Sequence, residues 1–160
     1  MRIVSGGQTG VDRAALDAAV ACGVPYGGWV PAGGTAEDLH EPPGLLALYP
    51  GLRATEESDD RVRTLRNVRD SDALLVLRLH TTSSPGTDLT VAEARRADRP
   101  ILEAHATDED AVGRWLAGLP HDTAVDVAGP RESQDPGVYA AAYRTLVAVL
   151  GVWSTTDRGT

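Results

Sequence analysis

The sequence predicts a doubly wound α/β domain, a mostly parallel sheet of about five strands with helices on both faces. Three observations carry that expectation. Apolar runs of strand length alternate with helix-length segments along the chain, the pattern of strands joined by crossover helices. One run, Leu74-Leu75-Val76-Leu77, is apolar without interruption, as a strand covered on both faces must be. Glycine-containing turns also stand between predicted strands and helices at three separate places.

In chain order, strands are expected over 2–5, 25–30, 73–79, 100–104 and 123–128. Helices are expected over 11–22, 59–69, 87–97, 108–117 and 137–150, with sets such as Val62, Leu65 and Val68 at turn spacing. Asp135-Pro136 supplies a cap and first position for the last helix. The stretch 31–58 is rich in proline and glycine and has no sustained period. Loops that long in compact domains cover a site or lack order, and Leu45, Leu46, Leu48, Tyr49 and Leu52 favour an ordered cover. With 160 residues and 42% apolar content, one domain over 1–153 is expected, followed by a polar tail over 154–160.

Charge and composition remove several functions. There are 23 acidic residues against 15 basic, a formal charge of −8, which argues against nucleic-acid or anionic-membrane partners. Every basic residue is arginine, so a lysine-bearing phosphate loop, a Schiff base and a lysine nucleophile are all ruled out. Cys22 is the single cysteine; its place on a helix face suits packing better than nucleophilic attack. His40, His80, His105 and His121 show no ligand spacing, so no structural metal is expected. No stretch has the length of a membrane span and the start lacks a secretory pattern, so a cytoplasmic setting is expected.

The three turns are Ser5-Gly6-Gly7-Gln8-Thr9-Gly10, Ser84-Pro85-Gly86-Thr87 and Ala128-Gly129-Pro130-Arg131-Glu132-Ser133. In an open parallel sheet such turns lie along one edge, where ligands bind, and each helix start offers unpaired N–H groups to an anion. Gly6, Gly7 and Gly10 permit crowded or left-handed backbone. Gln8 and Thr9 offer side-chain hydrogen bonds, and Asp12 either caps the helix or faces the ligand. Thr87 is a cap or a hydroxyl donor, and Arg131 is the cation within a turn, beside Glu132 and Ser133. A helix leading into a strand begins at the ligand edge, so Arg61 and Arg63 can reach a ligand while Arg69, Asp70 and Asp72 cannot. Trp29 could stack on a planar ring or anchor the cover.

Together with Gly27-Gly28-Trp29-Val30-Pro31, Ala36-Glu37-Asp38, Arg63-Thr64 and Asn67 to Ala73, these turns resemble the molybdenum cofactor carrier family from Met1 to about Leu150. That family is similar to a circularly permuted branch of the Rossmann-like superfamily of lysine-decarboxylase-like phosphoribohydrolases. The resemblance implies a Rossmann-like, homo-oligomeric carrier of molybdenum cofactor, a phosphorylated pterin, with Gly6, Gly7, Gln8, Thr9, Gly10, Asp12, Trp29, Arg63, Pro85, Gly86, Thr87, Gly129, Arg131, Glu132 and Ser133 at its site. The chain departs from the family after the tryptophan, where Ala32, Gly33, Gly34 and Thr35 replace basic residues. It departs from the phosphoribohydrolases at Gly86-Thr87-Asp88-Leu89-Thr90, which lacks the carboxylate of Gly-Thr-x-x-Glu. A nucleoside-monophosphate phosphoribohydrolase would have to draw its catalyst from Asp12, Asp88, Glu93 or Glu132. A binding protein is therefore favoured over an enzyme, with a sensor of nucleotide-derived ligands as a further alternative.

Overall fold

A computed structural model describes residues 1–157 and contains six strands and six α-helices. They run β1 (Arg2–Val4), α1 (Val11–Cys22), β2 (Tyr26–Val30), α2 (Leu45–Leu48), β3 (Leu52–Ala54), α3 (Asp60–Arg69), β4 (Ala73–Arg78), α4 (Pro85–Arg96), β5 (Ile101–His105), α5 (Glu109–Ala117), β6 (Ala124–Ala128) and α6 (Val138–Asp157). All five expected strands are present in one sheet of order β3-β2-β1-β6-β4-β5, and every pairing is parallel. The sixth, β3, lies inside the stretch that shows no period. Its three residues and the four of α2 follow the Pro-Gly pairs at 50–51 and 43–44, which break up any apolar run that would announce them. α6 runs on to Asp157, through the first residues of the expected tail; 158–160 lie outside the described residues. No helix among the described residues is long and apolar enough to cross a membrane.

The uninterrupted apolar run of β4 serves both faces, because strand side chains alternate. Leu75 and Leu77 join Val125 and Val127 of β6 in the larger core, under α1, α5 and α6. Leu74 and Val76 join Ala128, with Val68 of α3 and Val91 and Ala94 of α4, on the opposite face. Side chains such as Leu75, Leu77 and Leu146 are fully buried, each contributing about 2 kcal/mol of transfer free energy. A third cluster joins Leu16 and Val30 to Leu45, Tyr49 and Leu52, which orders the proline-rich stretch against β2.

Strand order fixes where the glycine turns meet. From β1 the chain moves outward to β2 and β3; from β4 it moves the other way to β5; β6 returns between β1 and β4. The turns leaving β1, β6 and β4 are therefore neighbours at the point where connections diverge, the position at which open α/β sheets bind ligands.

Candidate functional site

The first and third turns touch. Gly10 has φ +77°, and a Cβ there would stand 2.2 Å from the Pro130 carbonyl oxygen, so this contact requires glycine. The Val11 N–H donates to the same oxygen at 3.3 Å, and the Glu132 N–H donates to the Thr9 hydroxyl at 3.3 Å. The second turn is tied to the third by Ser84 Oγ, which donates to Gln134 Oε1 at 2.9 Å. Below the three turns lies a cavity of about 560 Å³, within the range of small-molecule sites.

Of the residues expected at the site, Gly6, Gln8, Asp12, Arg63, Pro85, Gly86, Thr87, Gly129 and Arg131 line this cavity. Gly6 makes room for a cation: a Cβ there would lie 1.7 Å from Arg63 Nη1. Arg63 in turn donates to Asp12 at 3.3 Å and pairs with Asp60 at 3.5 Å. Arg131 crosses from the third turn to Asp60 at 3.0 Å. The order Arg131, Asp60, Arg63, Asp12 alternates in sign along the cavity. Arg61 lines it, whereas Arg69, Asp70 and Asp72 do not, as the direction of α3 requires.

At the start of α4 the amides of Gly86 and Thr87 have no hydrogen-bond partner among the described residues, and Pro85 has no N–H to satisfy. Ser84 occupies the N-cap position, so Thr87 is not the cap; it sits within the first turn with its hydroxyl buried and unpartnered. The first turn is less open. Its Gly7 N–H goes to Ser5 Oγ at 3.1 Å and its Thr9 N–H to Gln8 Oε1 at 3.1 Å. Much of the third turn is also consumed internally, since Arg131 N–H donates to Gln134 Oε1 at 3.2 Å.

Six expected site residues face elsewhere. Trp29 lines a separate cavity of about 170 Å³. Its indole N–H donates to Asp70 at 2.7 Å and its ring lies 4.8 Å from the Arg66 guanidinium carbon, so its aromatic face is already covered by a cation. Gly7 has φ +70° and points at Leu45 and Val30, in the third core cluster. Gly10 is used in the contact between turns. Thr9 and Ser133 donate to Glu37, and Glu37 also approaches Arg131 at 3.9 Å. Burial would raise the Glu37 carboxyl, but these hydroxyls and Arg131 outweigh it and hold it below its ordinary value. The proline-rich stretch is thus clamped to the turns through Glu37, but none of its residues lines the main cavity.

Glu132 caps α6: its carboxylate accepts from the N–H groups of Gly137 at 2.6 Å and Tyr139 at 3.0 Å. The expected cap, Asp135, is buried and instead accepts from Leu79 and His80 at the end of β4, at 2.8 and 3.0 Å. Asp88 is held by Ser83 and Arg78 at 2.9 and 3.0 Å, and Glu93 pairs with Arg96 at 3.2 Å. Three of the four carboxylates near the turns therefore have structural partners away from the cavity, and only Asp12 lines it.

Sequence reasoning missed a carboxyl. Asp126, in the middle of β6, is 4% exposed and lines the cavity. Burial pushes its carboxyl up to about 8, with repulsion from Asp12 adding to the rise and Arg63 opposing it. Asp12 is raised by burial as well, against the pull of Arg63. Among the described residues no three His, Cys, Asp or Glu side chains are grouped to hold a metal ion.

With this geometry in place, comparison with known proteins decides the family. The model of the circularly permutated YpsA SLOG family matches residues 3–150. The chain belongs to that family. A crystal structure from Syntrophus aciditrophicus SB, described as a "Putative molybdenum carrier protein", is 36% identical, with 93% of each chain covered and a TM-score of 0.79. No curated protein matches the sequence.

Proposed function

We propose that this member of the circularly permutated YpsA SLOG family is a binding protein that holds molybdenum cofactor, or a closely related phosphorylated heterocycle, in the cavity beneath its three turns. The observation that carries the reading is the meeting of unpaired α4 amides at Gly86 and Thr87 with Arg63 and Arg131 in one cavity. Amides at a helix start and guanidinium groups together suit a phosphate, and contacts at hydrogen-bond distance outweigh a net charge acting over about 10 Å. The described carrier from Syntrophus aciditrophicus SB supports the molybdenum assignment. In this reading the phosphate sits at the start of α4 and the ring lies toward β6. The metal travels on the ligand rather than on protein side chains, and holding rather than turnover is the activity.

Titration with isolated molybdenum cofactor, followed by pterin fluorescence and metal analysis, tests this. Saturable binding near one equivalent per chain is expected, weakened at least about tenfold in Arg131→Ala through loss of a charge-assisted contact. Non-saturable, sub-stoichiometric uptake would remove the carrier assignment. Native mass spectrometry of the same sample reads the homo-oligomeric state that belongs to this proposal.

A further inference from the structure

The start of α4 has a capping residue that does not cap. Ser84 stands at the N-cap with extended backbone, φ −155° and ψ 119°, yet its hydroxyl accepts from none of the helix amides. A serine there ordinarily accepts from the second or third N–H of the helix, which in α4 belong to Gly86 and Thr87. Those are the two amides left unpaired at the cavity. The hydroxyl is turned instead to Gln134, in the turn after β6, with Ser84 Oγ 2.9 Å from Gln134 Oε1. The backbone N–H of Arg131 lies 3.2 Å from the same Gln134 atom. An N–H only donates, so that atom is the carbonyl oxygen, and Ser84 is the donor in its own bond. The Thr87 hydroxyl, on a residue 3% exposed, is buried and unpartnered in the same wall. Buried polar groups are nearly always paired, so Thr87 independently points to a polar ligand at this helix start.

We propose that Gln134 is a positioning residue for phosphate binding: by holding the Ser84 hydroxyl off the helix start, it keeps the Gly86 and Thr87 amides open to the ligand. This rests on the phosphate site of the binding reading above and adds what stops the fold from filling that site itself. The Ser84 backbone is already extended, as an N-cap requires. Asp88 holds it there, accepting from the Ser84 N–H at 3.3 Å and the Ser83 hydroxyl at 2.9 Å. Without the Gln134 acceptor, rotation about the single side-chain bond of Ser84 lets its hydroxyl cap α4. An anion must then displace a bond that the chain makes on its own. The Gln134 oxygen also accepts from the Arg131 N–H, so one atom joins the turn that carries the cation to the turn that carries the amides.

A double-mutant cycle separates positioning from direct contact. Ribose 5-phosphate and the nucleotide adenosine monophosphate are titrated by calorimetry into wild type, Gln134→Ala, Ser84→Ala and the double variant. Gln134→Ala is expected to weaken both ligands about three- to tenfold, the scale of one capping bond. In the Ser84→Ala background the same substitution should cost less than about twofold, because no hydroxyl remains to occupy the amides. Amide hydrogen exchange of the unliganded proteins, followed by NMR, gives a second reading. Exchange at Gly86 or Thr87 should slow by at least about threefold in Gln134→Ala and return to the wild-type rate in the double variant. A loss of equal size in both backgrounds would make Gln134 a direct ligand contact, and no loss in either would leave it without a part in binding. Each of those results, or unchanged exchange at both amides in Gln134→Ala, overturns the inference while the phosphate site stands. Failure of the wild type to bind either ligand overturns the phosphate site and this inference together.

Discussion

Asp60 holds a position that a phosphate would contest. Its carboxylate lies 3.0 Å from Arg131 and 3.5 Å from Arg63, so an incoming anion must share or displace it from the cations expected to bind it. Asp60→Asn is therefore expected to tighten ribose 5-phosphate binding by about three- to tenfold, the scale of one partly exposed ion pair. Weaker binding in calorimetry would show that Asp60 supports the arginines rather than competes for them. Asp126 carries a second prediction with a definite sign. Its folded value, about 8, lies above the ordinary 3.8, so between those values the folded chain binds more protons than the unfolded one. Stability from this group is present at low pH and is lost as pH rises toward 8, with a slope of at most about 1.4 kcal/mol per pH unit. Urea unfolding of wild type and Asp126→Asn between pH 5 and 9 isolates it: the variant's advantage should grow with pH and level off above 8.

The elements show which chemistry was legible in advance. Helix starts were legible because glycine, proline and small polar residues mark them, and the turns at Ser84-Pro85-Gly86-Thr87 and at Arg131 fall in the cavity as their spacing implies. The five expected strands were legible from their apolar runs and their alternation with helices; β3 and α2 were not, being short pieces interrupted by Pro43-Gly44 and Pro50-Gly51. Asp126 was hidden for a different reason. A lone carboxylate within Ala124-Val125-Asp126-Val127-Ala128 shows only by alternation that it opposes the valines, and the face it meets depends on strand order. Trp29 misled because its sequence position says nothing of Arg66 and Asp70 closing around it. Glu132 drew attention as a carboxylate beside a glycine turn, yet its two bonds to Gly137 and Tyr139 make it the cap of α6. Glu132→Ala should accordingly cost about 0.5–2 kcal/mol of stability and leave nucleotide and ribose 5-phosphate affinities within about twofold. A large loss of affinity at unchanged stability would return Glu132 to the site.

At the scale of the whole molecule, the cavity draws on both sides of the strand-order reversal: Asp12 from α1, Arg63 from α3, Thr87 from α4, and Asp126 with Arg131 from β6 and the turn after it. α1 packs in the larger core cluster and α3 and α4 share the cluster on the opposite face, both against the central strands, so opening either side removes part of the ligand's contacts. A ligand that binds only the folded chain then stabilises the entire domain through mass action, by about 2.7 kcal/mol at a concentration one hundred times its Kd. For a chain of this length that corresponds to a rise in Tm of about 5–10 °C. Arg131→Ala, which is expected to weaken binding about tenfold, should forfeit about 1.4 kcal/mol of that gain at the same ligand concentration with little change in Tm when no ligand is present, since its partners Asp60 and Glu37 are not fully buried. Thermal scans of both proteins with and without ligand measure all four quantities. A ligand-induced shift of equal size in the variant would mean that the anion is held elsewhere, and hydrogen exchange would then be expected to protect a region other than the starts of α1 and α4.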